Sequence, residues 1–305
     1  MTVKQKLYAS GELVLRNLKI FVGDKASVFF SLLAPLIVLL LYVFFLKELQ
    51  IDSAAAMFGD VPVDPGLIEK TVNNWMLAGV VSVACVTVSF SAQEREIKDR
   101  ETGVVADIKA SPLPRPLIEM SYFLSNLVIT LCICAAVLVV ALIYAAISGW
   151  TLSAGDVAGL FACLVMSALS ASLITGLISR FVRTSSQHGA LVGIVSAAIG
   201  FLMGAYMPIG IFPKAVQYIT LFVPGTYSAA LFRELFMSGT VDELAAVSPQ
   251  AAEAIESAYS LEIDFFGVQI GAEKIAAVFA ATIALFTAIR IVVAIASSDK
   301  EKRIR

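Results

Sequence analysis

Residues 94–116 read EREIKDRETGVVADIKASPLPRP. Seven of the eight residues 94–101 are charged, in a chain where 59% of residues are hydrophobic and only 15% are charged, against about 25% charged in soluble domains. On either side, 74–92 and 118–147 are apolar runs of the length a bilayer requires, roughly 20 residues for a spanning helix. The charged stretch is therefore a loop between two membrane spans, and its side of the membrane fixes the topology.

Six stretches are long and apolar enough to span: about 26–46, 74–92, 118–147, 157–179, 189–210 and 275–297. With the N-terminus in the cytoplasm, sixteen lysines and arginines fall on the inner side and five on the outer, with Arg290 inside span 6. That asymmetry matches the positive-inside rule and places both termini in the cytoplasm. Residues 94–116 then form the largest cytoplasmic loop. The expected fold is an all-α membrane protein of six transmembrane helices, with 1–305 as one transmembrane domain. The first span begins too far in and is too long for the apolar region of a signal peptide, despite SAAA at 53–56.

Two further segments are apolar without spanning. In 3–22, Val3, Leu7, Val14, Leu18 and Phe21 share one helical face and Gln5, Glu12, Arg16 and Lys19 the other, with Leu13 and Ile20 off pattern. A basic amphipathic helix before a span is expected to lie along the inner leaflet. Between spans 5 and 6, residues 213–223 and 225–239 are each too short to cross, so a re-entrant pair hinged at Pro224 and Gly225 is expected in the outer leaflet. Residues 240–272, acidic and without cysteine, are expected to make a small helical cap.

Several functions are disfavoured. The six apolar cores hold no aspartate or glutamate, whereas ion-driven carriers usually mark their pathway with intramembrane ionisable groups. Arg290 either snorkels to the cytoplasmic face or serves a substrate or a neighbouring helix. Metalloprotease H-E-x-x-H needs two histidines and the chain has one, His188; no phosphate-binding G-x-x-x-x-G-K-[ST] exists. Nothing forms a basic surface for nucleic acid. Cys85, Cys132, Cys134 and Cys163 sit in apolar runs with no C-x-x-C spacing, so buried hydrophobes are expected rather than a metal or disulfide framework. Gly189, Gly193, Ala197, Gly200 and Gly204 put small residues along span 5, where another helix can approach closely.

Within the opening stretch, Glu94 with Lys98, Arg95 with Asp99 and Glu96 with Arg100 form opposite-charge pairs at i, i+4, which support a solvated helix continuing span 2. After Thr102 and Gly103, Val104, Val105 and Ile108 make a two-turn apolar face that Pro112 stops. Too short to be stable alone, it has the form of a docking element for a cytoplasmic partner.

This stretch resembles the loop between spans 2 and 3 in permeases of the ABC type-2 transporter family, where an E-R-E-like run, a glycine and an S-P-x-x-R turn surround a coupling helix. LRNLKIFVGDKASVFFSLLAPL at 15–36 resembles that family's connecting helix and first span. Gly204 to Pro208, Pro213, and then Pro224, Tyr227 and Arg233 resemble its signature, ending P-x-x-Y-x5-R; the match departs at Phe212 and Gly225. The resemblance implies a membrane subunit that pairs with a second permease, identical or not, and with two cytoplasmic ATP-binding subunits that carry the ATP and Mg. By itself the chain would bind no cofactor or metal and catalyse nothing. Gly103, Val104, Val105, Asp107, Ile108, Ser111, Pro112 and Arg115 are the implied coupling residues. Phe201, Met203, Tyr206, Pro213, Pro224, Tyr227 and Arg233 are implied at the pathway or its outer gate. Export of an amphipathic drug, peptide or lipid-like cargo is the expected activity, with a non-transporting sensor or scaffold as the alternative.

Overall fold

The structure, a computed structural model, describes residues 2–58 and 61–302, the side chains of 34 and 295–302 aside; of the basic tail, Arg303 and Arg305 lie outside the described residues. The chain opens with α1 (Val3–Gly23), started by a reciprocal cap between Thr2 and Gln5. Asp24 stops α1 and caps the next helix, accepting from the Ser27 amide at 3.1 Å and its hydroxyl at 2.8 Å. The hydroxyl bond, more than the amide bond, holds the Asp24 carboxyl below its ordinary pKa. There α2 (Lys25–Leu41) begins, passes Pro35, widens into a π-helical turn at Tyr42–Leu46 and continues as α3 (Lys47–Phe58). The first span is thus longer than the apolar run 26–46.

The second span is α4 (Pro65–Glu101), 37 residues with Pro65 in its first turn. The short α5 (Val104–Ala110) leads into α6 (Arg115–Gly149). Next come α7 (Ala154–Ile178), opened by a Ser153–Asp156 capping box, and α8 (Ser185–Leu202). The bundle is centred on α4: 83% of its most apolar window is buried, against 11% for the last helix. It packs against α6, α7, α8 and a later helix, α10 (Pro224–Val247). Trp75, Leu138, Leu160, Phe232 and Phe236 are fully buried in the largest core, each such side chain contributing roughly 1.5–3 kcal/mol.

Span 5 is shorter than its apolar run. α8 ends at Leu202, although apolar residues continue past 210. The stop is a Schellman turn: Gly204 adopts φ +67, its amide donates to Phe201 O at 3.0 Å, and the Ala205 amide donates to Gly200 O at 2.7 Å. Glycine reaches this left-handed conformation without the steric cost of a Cβ. The small-residue stripe splits as a result. Gly189 and Gly193 face open space, while Gly200 is filled by the Tyr206 ring.

Beyond this turn lie α9 (Lys214–Thr220), α10 (Pro224–Val247) and α11 (Pro249–Ala258). The second apolar piece, 225–239, continues as helix to Val247, and the break between α9 and α10 falls at 221–223, directly before Pro224, which starts α10. The cap also departs from a purely helical expectation. Strands β1 (Ile263–Phe265) and β2 (Val268–Ile270) pair antiparallel, with Ile263 opposite Ile270, around a Phe266–Gly267 turn in which both residues have positive φ. Phe266 is held there by stacking on Tyr218, with centroids 5.2 Å apart. The last helix is α12 (Ala272–Lys302).

Among the described residues, six helical segments are long and apolar enough to cross a membrane; the chain is an integral membrane protein. The Arg290 side chain reaches the first turns of α6. Its guanidinium donates to Glu119 O at 3.3 Å and sits 4.3 Å over the Phe123 ring, joining α12 to α6. Of the cysteines, Cys85, Cys134 and Cys163 are buried and Cys132 is exposed, all four free.

Candidate coupling and gate sites

The short helix α5 hangs on Gly103, its N-cap, at φ +84. Nothing would crowd a Cβ there, so backbone conformation alone calls for glycine, at about 1–2 kcal/mol for another residue. Ser111 caps the far end, its hydroxyl donating to Ile108 O at 2.6 Å. The apolar face does not point outward as the sequence pattern implied. Val105 is buried, and with Ile108 it packs on Leu113, Ile118 and Tyr122, with Leu13 of α1. A seven-residue helix has too few internal bonds to persist without such packing. The solvent-facing side of this turn carries Ala106, Asp107, Lys109, Ala110, Ser111 and Pro112, with Val104 and Arg115 half-exposed.

Behind α5, Asp99 is fully buried and joins three helices. Its carboxylate accepts from Arg16 of α1 at 2.7 Å, from Arg95 one turn back, and from the Tyr122 hydroxyl of α6 at 2.8 Å. Two of the three expected i, i+4 pairs are present, Arg95–Asp99 and, at 2.7 Å, Glu96–Arg100. The α1 face turned to the bundle carries Ser10, bonded to Ser121 at 2.9 Å, and Asn17, bonded to Ser125 at 3.2 Å. Leu13 lies between them, which explains its break from the amphipathic pattern. Val3 and Leu7, on the same face but at the N-terminal end of α1, stay exposed.

A polar ladder that sequence reasoning missed crosses the bundle interior. Ser89 Oγ lies 3.1 Å from Asn126 Oδ1 and 3.2 Å from Thr175 Oγ1. Asn126 Nδ2 donates to Ser89 O at 2.8 Å and to Gln93 Oε1 at 3.0 Å. Gln93 Nε2 donates to Ser179 Oγ at 3.1 Å, and Arg100 to Ser179 O at 3.0 Å. These groups are uncharged apart from Arg100, so a search for intramembrane charges passes over them. The i, i+4 spacing of Ser89 with Gln93 and of Thr175 with Ser179 was the available signal. At the same end of the bundle, Glu101 accepts from the Ser185 amide at 2.9 Å, holding the start of α8, and His188 Nε2 lies 2.9 Å from Phe90 O.

At the opposite end, the start of α10 clasps the ends of two helices. Thr226 donates to Thr220 O at 2.8 Å, and Tyr227 donates to Leu221 O at 2.7 Å, fixing the end of α9. Arg233, buried in full, donates to Met203 O at 2.6 Å and Gly204 O at 2.8 Å, fixing the end of α8. A cation against unpaired carbonyls also complements the negative end of the α8 dipole. Gly225 lets Met203 approach, since a Cβ would meet its sulfur at 2.6 Å.

A family model described as ABC-2 type transporter matches residues 10–237. The chain belongs to that family. Among curated proteins and among solved structures, none matches it. The ABC-2 match takes in α1 through most of α10, and so both the α5 region and the α10 clasp.

Placed on this ABC-2 fold, the expected coupling residues Gly103 to Arg115 form one turn around α5. The expected pathway residues do not form one surface. Phe201 and Pro213 are exposed, and Tyr206 is half-buried and edge-on to Phe201 at 5.3 Å. Met203, Pro224, Tyr227 and Arg233 are buried in the chain itself. Met203 packs with Val83, Ile199, Ala205 and Ala229; these four residues hold the turn together from inside.

Proposed function

We propose that the chain is the membrane subunit of an ATP-driven exporter, in which α5 is the contact for a cytoplasmic ATP-binding subunit. The supporting observation is the two-sidedness of α5. Val105 and Ile108 clamp it to α1 and α6, while Asp107, Ala110, Ser111 and Pro112 are left open at the end of the longest, most buried helix. A push on that open face is passed through the Asp99 node to α1 and through the polar ladder to α6 and α7. In this reading two ATP-binding subunits carry ATP and Mg, a second permease completes the pathway, and the Glu101 end of α4 and both termini are cytoplasmic in a bacterial inner membrane. The α9–α10 pair re-enters the outer leaflet as the gate, and the cargo is amphipathic.

The test is co-purification of the ATP-binding subunit with the permease, together with its stimulated ATP hydrolysis. Asp107→Arg changes only the open face and is expected to lower both at least ten-fold with thermal stability unchanged. Retention of full association by Asp107→Arg and by Ala110→Glu would remove α5 as the docking face.

A further inference from the structure

A cavity of about 250 Å³ lies between α4, α5, α6, α7 and α12, and its charged lining is Arg100, Lys109, Arg180, Arg290, Glu96 and Glu119. Four cations thus face two carboxylates. Glu96 is taken by Arg100 at 2.7 Å and Glu119 by Arg180. Lys109 and Arg290 have no carboxylate within ion-pair distance among the described residues. Arg290 is half-buried on a helix of the membrane span, with only a carbonyl at 3.3 Å and an aromatic ring beneath it. Arg100 Nε is a buried donor with no acceptor. A Cβ at position 176 would meet Arg290 Nη1 at 2.3 Å, so Gly176 leaves the guanidinium its seat. Three of the six charged residues are followed in sequence by an exposed apolar side chain: Glu119 by Met120, Arg180 by Phe181 and Arg290 by Ile291.

We infer that this cavity binds the phosphate headgroup of an anionic phospholipid. A half-buried cation without a counter-ion is costly, and a phosphate diester supplies the missing charge together with acceptor oxygens for Arg100, Lys109 and Arg290. The exposed Met120, Phe181 and Ile291, one residue on from the charged lining, offer apolar surface to the acyl chains that a free anion lacks. A zwitterionic headgroup brings its own cation into a site already in positive excess, so net anionic lipids are preferred. Basic pockets between spanning helices on the cytoplasmic side recognise such headgroups. Bound there, the lipid bridges Lys109 of α5 to Arg180 and Arg290 of the bundle. The site stands whether or not an ATPase docks on the open face of α5.

The full chain alone, purified in detergent, tests this by native mass spectrometry against equal amounts of phosphatidylglycerol and phosphatidylcholine. Phosphatidylglycerol is expected to dominate the bound lipid. Lys109 is exposed and holds no part of the core, so Lys109→Gln folds and lowers that preference about five-fold, the effect of one surface cation near about 1 kcal/mol. Glu96→Gln removes a competing carboxylate and raises the preference by a similar factor. Equal binding of the two lipids, or no change in either variant, would overturn the site. If inorganic phosphate at matched concentration raises the melting temperature as much as phosphatidylglycerol does, the lipid assignment fails.

Discussion

Arg233→Met replaces a buried guanidinium by a side chain of similar length and no charge. Hydrogen bonds from a charged donor contribute about 1.5–3 kcal/mol each, and Arg233 makes two, to Met203 O and Gly204 O. These are net values that already contain the desolvation of donor and acceptors, so the two bonds set the expected loss at about 3–6 kcal/mol. Arg233→Lys, whose ammonium is a point donor without the planar fork, is expected to lose less. Tyr227→Phe removes one neutral donor and should cost about 1 kcal/mol. Buried Cys85, Cys134 and Cys163 report unfolding directly: a thiol-reactive dye labels them as the protein melts, over the constant signal of exposed Cys132. The order of melting temperatures should be wild type, Tyr227→Phe, Arg233→Lys, Arg233→Met. If Arg233→Met melts with wild type, the clasp contributes nothing and the buried arginine needs another explanation.

Asp99→Ala leaves Arg16 and Arg95 without their shared partner and should cost about 3–5 kcal/mol, the range for a broken buried ion pair, with proteolysis inside residues 3–23 rising as α1 lifts off. Gly239→Ala drives a Cβ to 2.0 Å from the Thr151 carbonyl and should lower stability by about 1–3 kcal/mol; Gly189→Ala meets nothing and should be neutral or stabilise α8 by up to about 1 kcal/mol, both read by the same dye melt. The Lys214–Asp264 pair at 2.8 Å joins α9 to the hairpin. Hydrogen bonding to Lys214, and secondarily to the Gly267 amide, lowers the Asp264 pKa, so its contribution is present above the ordinary 3.8 and is lost as pH falls through the depressed folded value. Bonding to Asp264 raises Lys214, so that contribution is present below the ordinary 10.5 and is lost as pH rises through the raised value. Hairpin proteolysis should therefore be flat at neutral pH and rise only at the two extremes.

The spans were readable because a bilayer imposes length and hydropathy on each one locally. α1, α5 and the continuation of α4 past residue 92 followed from periodicity and paired charges. What the chain's local pattern does not carry is which neighbour a face meets. Val105 and Ile108 read as an outward face because Leu13, Ile118 and Tyr122, the residues that cover them, are distant in sequence or lie past a proline. Span 5 read too long because hydropathy continues through Met203 and Ala205, and only the Schellman geometry at Gly204 ends it. The hairpin was missed since Phe266 is a poor residue for positive φ and is kept there by Tyr218, not by turn chemistry. Tyr227 and Arg233 were marked by their spacing, yet their work is on backbone carbonyls, which no side-chain pattern displays.

The length of α4 sets a geometric condition on any movement of this bundle. At 1.5 Å per residue its 37 residues extend about 55 Å, nearly twice the hydrocarbon thickness of about 30 Å. A tilt of about 5° about the Pro65 end sweeps the Glu101 end through about 5 Å, close to one helical pitch. At Ser89, two thirds of the way along, the same tilt moves the backbone by about 3 Å, as far as the 2.8–3.2 Å that separates the atoms bonded to Asn126 and Thr175. Even a small swing therefore shears the middle of the bundle unless α6 and α7 pivot with α4, so the three helices turn as one block or the swing is resisted at its midpoint.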